Sequence, residues 1–252
     1  MKRSLLFSIS ALALSFLLGA CGEKKETKPF KSGFEGMYVG ELPCADCPGI
    51  RTNATFLSDS TVAITSLYYD GDNTSETEWG TWTVEGKILK ALMPDEITLY
   101  YVQLSDSVIM MTDSVGTPSE SLAEYYQLTK ATPLVSDSFA GKYVMGDIQD
   151  PKSYRQNLII TPINENEVNV IVNSEGAGKG CEFSGRGKLV NNQIEVSLNE
   201  QHNKMQSTLV IRPNNEKTGL FLFTSTFDDR YDLMYFCGGG GSLAGDYIKV
   251  HE

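Results

Sequence analysis

The stretch LPCADCPG at 42–49 holds two cysteines, Cys44 and Cys47, at CxxC spacing. Three chemistries use that spacing. A thiol–disulfide exchange centre sets its first sulfur at a helix N-terminus, where the helix dipole stabilises a thiolate. A soft-metal site takes both thiolates as ligands for Cu(I) or Zn. A structural staple joins the two sulfurs and needs only an oxidising compartment. Pro48-Gly49 follows the pair and leads into IRTNATF, which alternates as a strand and offers no helix start. That speaks against exchange catalysis. A closed zinc site wants two more ligands. The chain has no second CxxC, and its two histidines, His202 and His251, lie far along the sequence. Asp46 is a hard donor, and Met110 and Met111, adjacent in an expected strand, face opposite ways. A two-thiolate copper site at Cys44 and Cys47 and a small disulfide both stay open. Closing so short a loop contributes about 2 kcal/mol by chain entropy.

Cys181 and Cys237 form a second pair. The four cysteines other than Cys21 allow three connectivities, and pairing within each half of the chain is the simplest. A Cys181–Cys237 bond closes a long loop and would stabilise its half by about 4 kcal/mol. A domain that depends on one such late-closing bond is suited to sensing folding conditions.

The compartment decides which sulfur chemistry is available. The chain opens MKRSLLFSISALALSFLLGAC, with a basic start at Lys2 and Arg3 and an apolar run from Leu5 to Leu18. That is a secretory signal of residues 1–20, too short to be a spanning helix. Leu18-Gly19-Ala20-Cys21 resembles the bacterial lipobox, which implies cleavage before Cys21 and acylation of that cysteine. The membrane is then a partner through the lipid anchor. Residues 21–33, polar and without periodicity, read as a flexible tether. Gly22, where an aspartate would resemble an inner-membrane retention signal, points to the outer membrane, with the periplasmic face expected. Removal of residues 1–20 leaves 19 basic against 32 acidic residues, a net charge of −13. So acidic a body repels nucleic acid.

Short alternating runs with turn signals every 8 to 12 residues predict an all-β chain. Eight strands are expected near 36–42, 50–57, 61–69, 78–84, 87–92, 97–104, 107–113 and 124–130. Nine more are expected near 139–147, 155–163, 166–173, 181–190, 193–199, 205–212, 217–224, 230–237 and 244–250. Tight connections make each set an antiparallel meander, and eight meandering strands close into a small barrel. FEGMYVG at 34–40 and FAGKYVMG at 139–146 share Phe-x-Gly-x-Tyr-Val, and LAGDYIKV at 243–250 repeats it in part. Two related units follow: a barrel over 34–130 with the CxxC, and a second barrel-like domain over 139–252 with the other cysteine pair. The stretch 131–138 is their linker, and the third copy supplies a closing strand. Asn191-Asn192 reads as a tight hairpin turn. SEGAGKGC at 174–181 lacks a phosphate loop's first glycine and its Ser or Thr, and GGGGSLAG at 238–245 misses the nucleophile-elbow pattern. Asp70, Asp72 and Glu76 form an acidic turn poorly spaced for calcium. No catalytic constellation emerges.

Three blocks carry a family resemblance: YVGELPCADCPGIRTNATF, WGTWTVEGKILKAL and YYVQLSDSVIMMTDSVGTPSE, together spanning about residues 36–130. They resemble the N-terminal domain of the NlpE family, envelope lipoproteins also described as copper homeostasis or resistance proteins. The resemblance implies a lipocalin-like barrel and a role in sensing envelope stress, reported to an inner-membrane sensor kinase. It also implies a copper link at Cys44 and Cys47. Residues 137–252 do not match the family's usual second domain. The expected function is a non-enzymatic outer-membrane lipoprotein in envelope stress signalling, with copper homeostasis attached. The runner-up is a lipocalin-like carrier of a small apolar ligand or lipid.

Overall fold

The computed structural model describes residues 33–250, except 70–73, 120, 148, 151, 177, 179 and 203. The first eight strands are β1 (Gly36–Leu42), β2 (Ile50–Phe56), β3 (Thr61–Tyr68), β4 (Ser75–Glu85), β5 (Ile88–Leu92), β6 (Thr98–Ser105), β7 (Val108–Thr112) and β8 (Gln127–Ala131). They form an antiparallel meander closed by β1 on β8, with Met37 opposite Ala131. A one-turn helix, α1 (Ser136–Phe139), leads to eight more strands. These are β9 (Gly141–Gly146), β10 (Arg155–Asn164), β11 (Glu167–Glu175), β12 (Phe183–Val190), β13 (Gln193–Ser197), β14 (Thr208–Pro213), β15 (Gly219–Thr224) and β16 (Gly245–Lys249). They close a second barrel, in which β16 pairs with β9 through Ile248 and Val144. The all-β reading with two meander barrels therefore holds.

Two boundaries differ from expectation. The run over 124–130 opens as a 3-10 turn, Ala123–Tyr126, before β8 begins. The strand expected over 230–237 does not exist, because Phe227–Met234 is a 3-10 helix that buries only Leu233. Tyr231, Leu233, Tyr235 and Cys237 alternate as a strand would, but β15 already has β16 as its neighbour, and no sheet edge is left to take another strand.

The repeated motif has one physical meaning in all three copies. Its glycines, Gly36, Gly141 and Gly245, have φ of 122°, 136° and 143°, which only glycine adopts without strain. That kink lets an apolar residue just before it, Phe34, Phe139 or Leu243, turn inward as a plug. The tyrosine two residues on, Tyr38, Tyr143 or Tyr247, then enters the barrel and donates its hydroxyl back along the chain. Tyr143 reaches Phe139 O and Tyr247 reaches Leu243 O, both at 2.9 Å, and Tyr38 reaches Gly33 O at 3.3 Å. The motif is a strand-entry device.

Side chains fill the first barrel. Phe56 meets Tyr38, Trp82 and Tyr101 edge-on, at centroid distances of 6.1, 5.7 and 5.8 Å. Each such pair adds about 1 kcal/mol beyond burial. Trp82 Nε1 donates to Leu57 O at 2.9 Å, so the indole is satisfied. Tyr101 is the exception: it is 0 % exposed and its hydroxyl has no hydrogen-bond partner. Tyr101→Phe is expected to raise stability by up to about 1 kcal/mol, since it removes an unsatisfied buried polar group. Burial also pushes the Tyr101 phenol well above its ordinary 10.0. The unfolded chain ionises there first. The contribution to stability is thus complete below about pH 10 and is lost as pH rises further. Chemical denaturation of wild type and Tyr101→Phe at pH 7 and pH 11 measures both effects, and the variant should lose less on going to pH 11.

The two barrels meet side to side. The outer face of β2, β3 and β4 receives the β12–β13 turn, with Asn191 and Asn192 at φ 48° and 67°. Asn191 Nδ2 approaches Asn53 O, Ala63 O and Thr65 Oγ1 at 3.1, 2.9 and 2.9 Å. Its Oδ1 accepts from Thr55 Oγ1 at 2.5 Å, and its backbone O accepts from Asn53 Nδ2 at 2.8 Å. Gln193 Oε1 accepts from Ser75 Oγ at 2.6 Å, and Thr77 Oγ1 donates to Glu195 Oε1 at 2.5 Å. Asn192 Oδ1 takes the backbone N–H of Leu134 at 2.7 Å, which ties in the connection between barrels.

Candidate functional site

The CxxC lies on the connection from β1 to β2, at one end of the first barrel. Residues 43–49 contain no helix, and β2 begins at Ile50. The geometry that would acidify a thiol at a helix N-terminus is therefore missing from this segment. Cys44 and Cys47 are joined by a disulfide and are half-buried, with Ala45, Asp46 and Pro48 exposed around them. Gly49 O accepts the backbone N–H of Tyr69 at 3.1 Å, so the far end of the loop is held against the end of β3. The loop is a short exposed bend pinned at both ends, with its sulfurs reachable from solvent.

With the sulfurs bonded to each other, the pair holds no thiolate. Among the described residues no three His, Cys, Asp or Glu side chains converge as a metal site. A copper ion does not fit this form. Only two-electron reduction would free Cys44 and Cys47 as two soft ligands. Because the closed loop has so few residues, Cys44→Ser is expected to cost at most about 2 kcal/mol and to leave the barrel intact. Thermal melts of wild type and variant, with far-UV circular dichroism to confirm the sheet, check this.

Cys181 and Cys237 are also joined, across 56 residues of sequence. Cys181 is buried just before β12, and Cys237 follows the 3-10 helix of Phe227–Met234. The two cysteines form an isolated antiparallel bridge, flanked by Glu182 N to Phe236 O and Gly238 N to Gly180 O, both 2.9 Å. Phe183 packs edge-on against Phe236 at 5.0 Å beside the bond. This bond fastens the segment that is not part of the sheet onto the barrel wall.

Cys21, the signal sequence, Asp70, Asp72 and His251 lie outside the described residues. His202 sits in a turn against Tyr235, with ring centroids 4.8 Å apart, and is not near either cysteine pair in sequence or in hydrogen bonding. The residues that sequence reasoning passed over are those between the barrels. Asn191 reads in sequence only as a turn residue, and Asn53, Thr65, Ser75 and Gln193 carry no role there beyond membership of a strand or turn. A usable signal existed in TVAITSLY, where Ala63, Thr65 and Leu67 on the second face are small or apolar enough to be covered.

Comparison with known proteins places these features. The family model described as the NlpE N-terminal domain matches residues 38–122, a span that includes both cysteines of the CxxC. The "17 kDa lipoprotein" of Treponema pallidum (strain Nichols) is 36 % identical over 107 residues, covering 38 % of this chain and 69 % of that protein. A crystal structure of a lipoprotein from Shewanella oneidensis is 30 % identical, covering 38 % of this chain and 87 % of that one, with a TM-score of 0.33. The crystal structure of the Cpx pathway activator NlpE from Escherichia coli is 20 % identical, covering 62 % of this chain and 87 % of that one, with a TM-score of 0.32. Superpositions this partial transfer no functional detail. The sequence matches over the first barrel suffice for the assignment: the chain belongs to the NlpE family of lipoproteins.

Proposed function

We propose that this protein is a non-enzymatic lipoprotein, anchored through acylated Cys21 to the periplasmic face of the outer membrane, that reports envelope stress to an inner-membrane sensor kinase. The observation that carries the reading is the family match over 38–122, which joins the CxxC loop to the first barrel. The reporting element is the oxidation state of the cysteines. In an envelope that oxidises thiols, Cys181 and Cys237 close, and the segment between β15 and β16 docks. When closure fails, that segment is released and its apolar side chains, Leu233, Phe236 and Leu243, lose their cover.

Copper belongs to the reduced form alone in this reading. Anaerobic Cu(I) titration of the reduced Cys181→Ser, Cys237→Ser protein should show one equivalent bound, and none once Cys44→Ser is added. The carrier reading is less well supported, because aromatic side chains occupy the first barrel where a lipocalin would keep its ligand. Deleting the gene in the native bacterium tests the proposal. The transcriptional response to reductant and to copper should fall in the deletion strain and return with the wild-type gene. An unchanged response would rule the reporting role out.

A further inference from the structure

Arg212 stands on the outer face of β14, opposite Phe221 of β15, with Asp246 of β16 next in the same row. Its guanidinium lies over the Phe221 ring, 4.8 Å from the centroid, which fixes its plane. The residue is 7 % exposed. Yet among the described residues Arg212 makes no ion pair and donates no side-chain hydrogen bond; the ion pairs there are Lys90–Glu85 and Arg155–Glu175. A buried guanidinium with no carboxylate in direct contact is costly and stays protonated at neutral pH. The group is not sealed in protein, however, since it faces a cavity of about 420 Å³ between the barrels.

The wall of that cavity is built for an anion. Arg51, from the outer face of β2 on the other barrel, lines it together with Arg212, and Lys217 of the β14–β15 turn stands at its margin. The rest is mainly hydroxyl and amide: Thr65, Ser75, Asn53, Asn191 and Gln193. Burial lowers the pKa of Arg212, and the like charge of Arg51 lowers it further, while Asp246 opposes both from two strands away. Arg212 also borders a smaller adjoining cavity of about 290 Å³, and the carboxylates Asp246 and Glu216 line that one and not the larger. Two guanidinium groups lining one cavity repel each other, and an anion between them would turn that repulsion into two charge-assisted contacts. The concentration is local, since the whole chain carries a net charge of −11.

We propose that the cleft between the barrels binds a phosphate group, with Arg212 as the forked anchor and Arg51 as a second clamp from the opposite barrel. Two arginines from strands of different barrels and a lysine from a turn suit a tetrahedral group with several oxygens. A carboxylate would be satisfied by a single planar fork. The cavity is within the size range of small-molecule sites, so the phosphate arrives either on a small solute or on a phospholipid headgroup. Because both barrels contribute, occupancy would also fasten them to each other.

The test uses the mature chain bearing Cys21→Ser, so that no acyl chain contributes to membrane binding. Inorganic phosphate and glycerol 3-phosphate are titrated by calorimetry at constant ionic strength, with acetate as the carboxylate control. Sedimentation with vesicles of phosphatidylcholine, with and without phosphatidylglycerol, forms the second arm. Arg212→Met is expected to weaken binding at least tenfold. Arg51→Met, an exposed position, should weaken it several-fold without changing the melting temperature of the unliganded protein. Arginine-dependent binding in solution identifies a solute phosphate, and arginine-dependent binding to phosphatidylglycerol vesicles alone identifies a headgroup. No binding in either arm, binding equal in wild type and both variants, or acetate binding as tightly as phosphate would each overturn the proposal.

Discussion

Cys181→Ser is expected to lower the stability of the oxidised protein by about 4 kcal/mol, the chain-entropy value for a loop of this length. For a chain of this size that corresponds to a fall in melting temperature of roughly 8–16 °C. The effect should be concentrated in one segment. Between β15 and β16 the chain contributes no strand to the second barrel, and the bond at Cys237 holds it down. Without the bond the segment keeps Leu233 and Leu243 in the core, the Phe183–Phe236 contact, the two backbone hydrogen bonds beside the cysteines, and hydrogen bonds such as Ser207 Oγ to Asp232 and Gln156 Nε2 to Ser242 O. Hydrogen exchange should therefore show protection lost first across 225–244, with the first barrel unaffected. In reductant, wild type and variant should melt together, the variant having moved only by the small contribution of the Cys44–Cys47 bond. A variant that melts with oxidised wild type would show that packing alone fastens the segment.

Asn191→Ala is expected to cost about 3 kcal/mol and to split unfolding into two transitions. One part of the cost is backbone: Asn191 has φ 48°, where a residue with a Cβ and no short polar side chain is strained by about 1–2 kcal/mol. The other part is the interface. Removing the amide takes away the partner of Ala63 O and of Thr55 Oγ1, at about 1–3 kcal/mol for groups left unsatisfied, while Thr65 Oγ1 keeps Thr77 Oγ1. Asn191→Gly separates the two, since glycine tolerates the turn and keeps the backbone contact to Asn53 but lacks the bridging amide. Guanidinium unfolding followed by tryptophan fluorescence of a Trp79→Phe background reports the first-barrel core through Trp82, because the second barrel has no tryptophan. Circular dichroism reports both. The two probes should coincide for wild type and diverge for either variant. Coincident, unshifted curves would show that the barrels are not energetically coupled through this turn.

The strands were legible because both barrels keep strict alternation where one face is covered. Ala54 and Phe56 on β2, with Val62 and Ile64 on β3, point inward as their spacing requires. The repeat was legible too, although its reason was not: a glycine beyond φ 120° and a tyrosine reaching back to a carbonyl cannot be read from letters alone. The stretch over 230–237 misled for a physical cause. Tyr231, Leu233 and Tyr235 alternate as a strand does, and only the completed sheet shows that no partner strand is available for them. The contact between barrels left least trace. Its members are Asn, Gln, Ser, Thr and Arg side chains on outer faces, indistinguishable in sequence from residues facing water. Arg212 is the sharpest case, because its burial depends on the β15 ring beneath it and on the first barrel, whose Arg51 lies some 160 residues earlier in the chain.

The account rests on an unclosed Cys181–Cys237 bond acting as the signal, and envelope-stress transcription in unstressed cells measures that most directly. Three strains suffice: wild type, the gene deletion, and a strain producing the Cys181→Ser, Cys237→Ser protein at wild-type abundance. The account predicts that the double-serine strain switches the response on without any applied stress, while the deletion strain stays at the wild-type basal level. A double-serine strain that remains as quiet as wild type would contradict it.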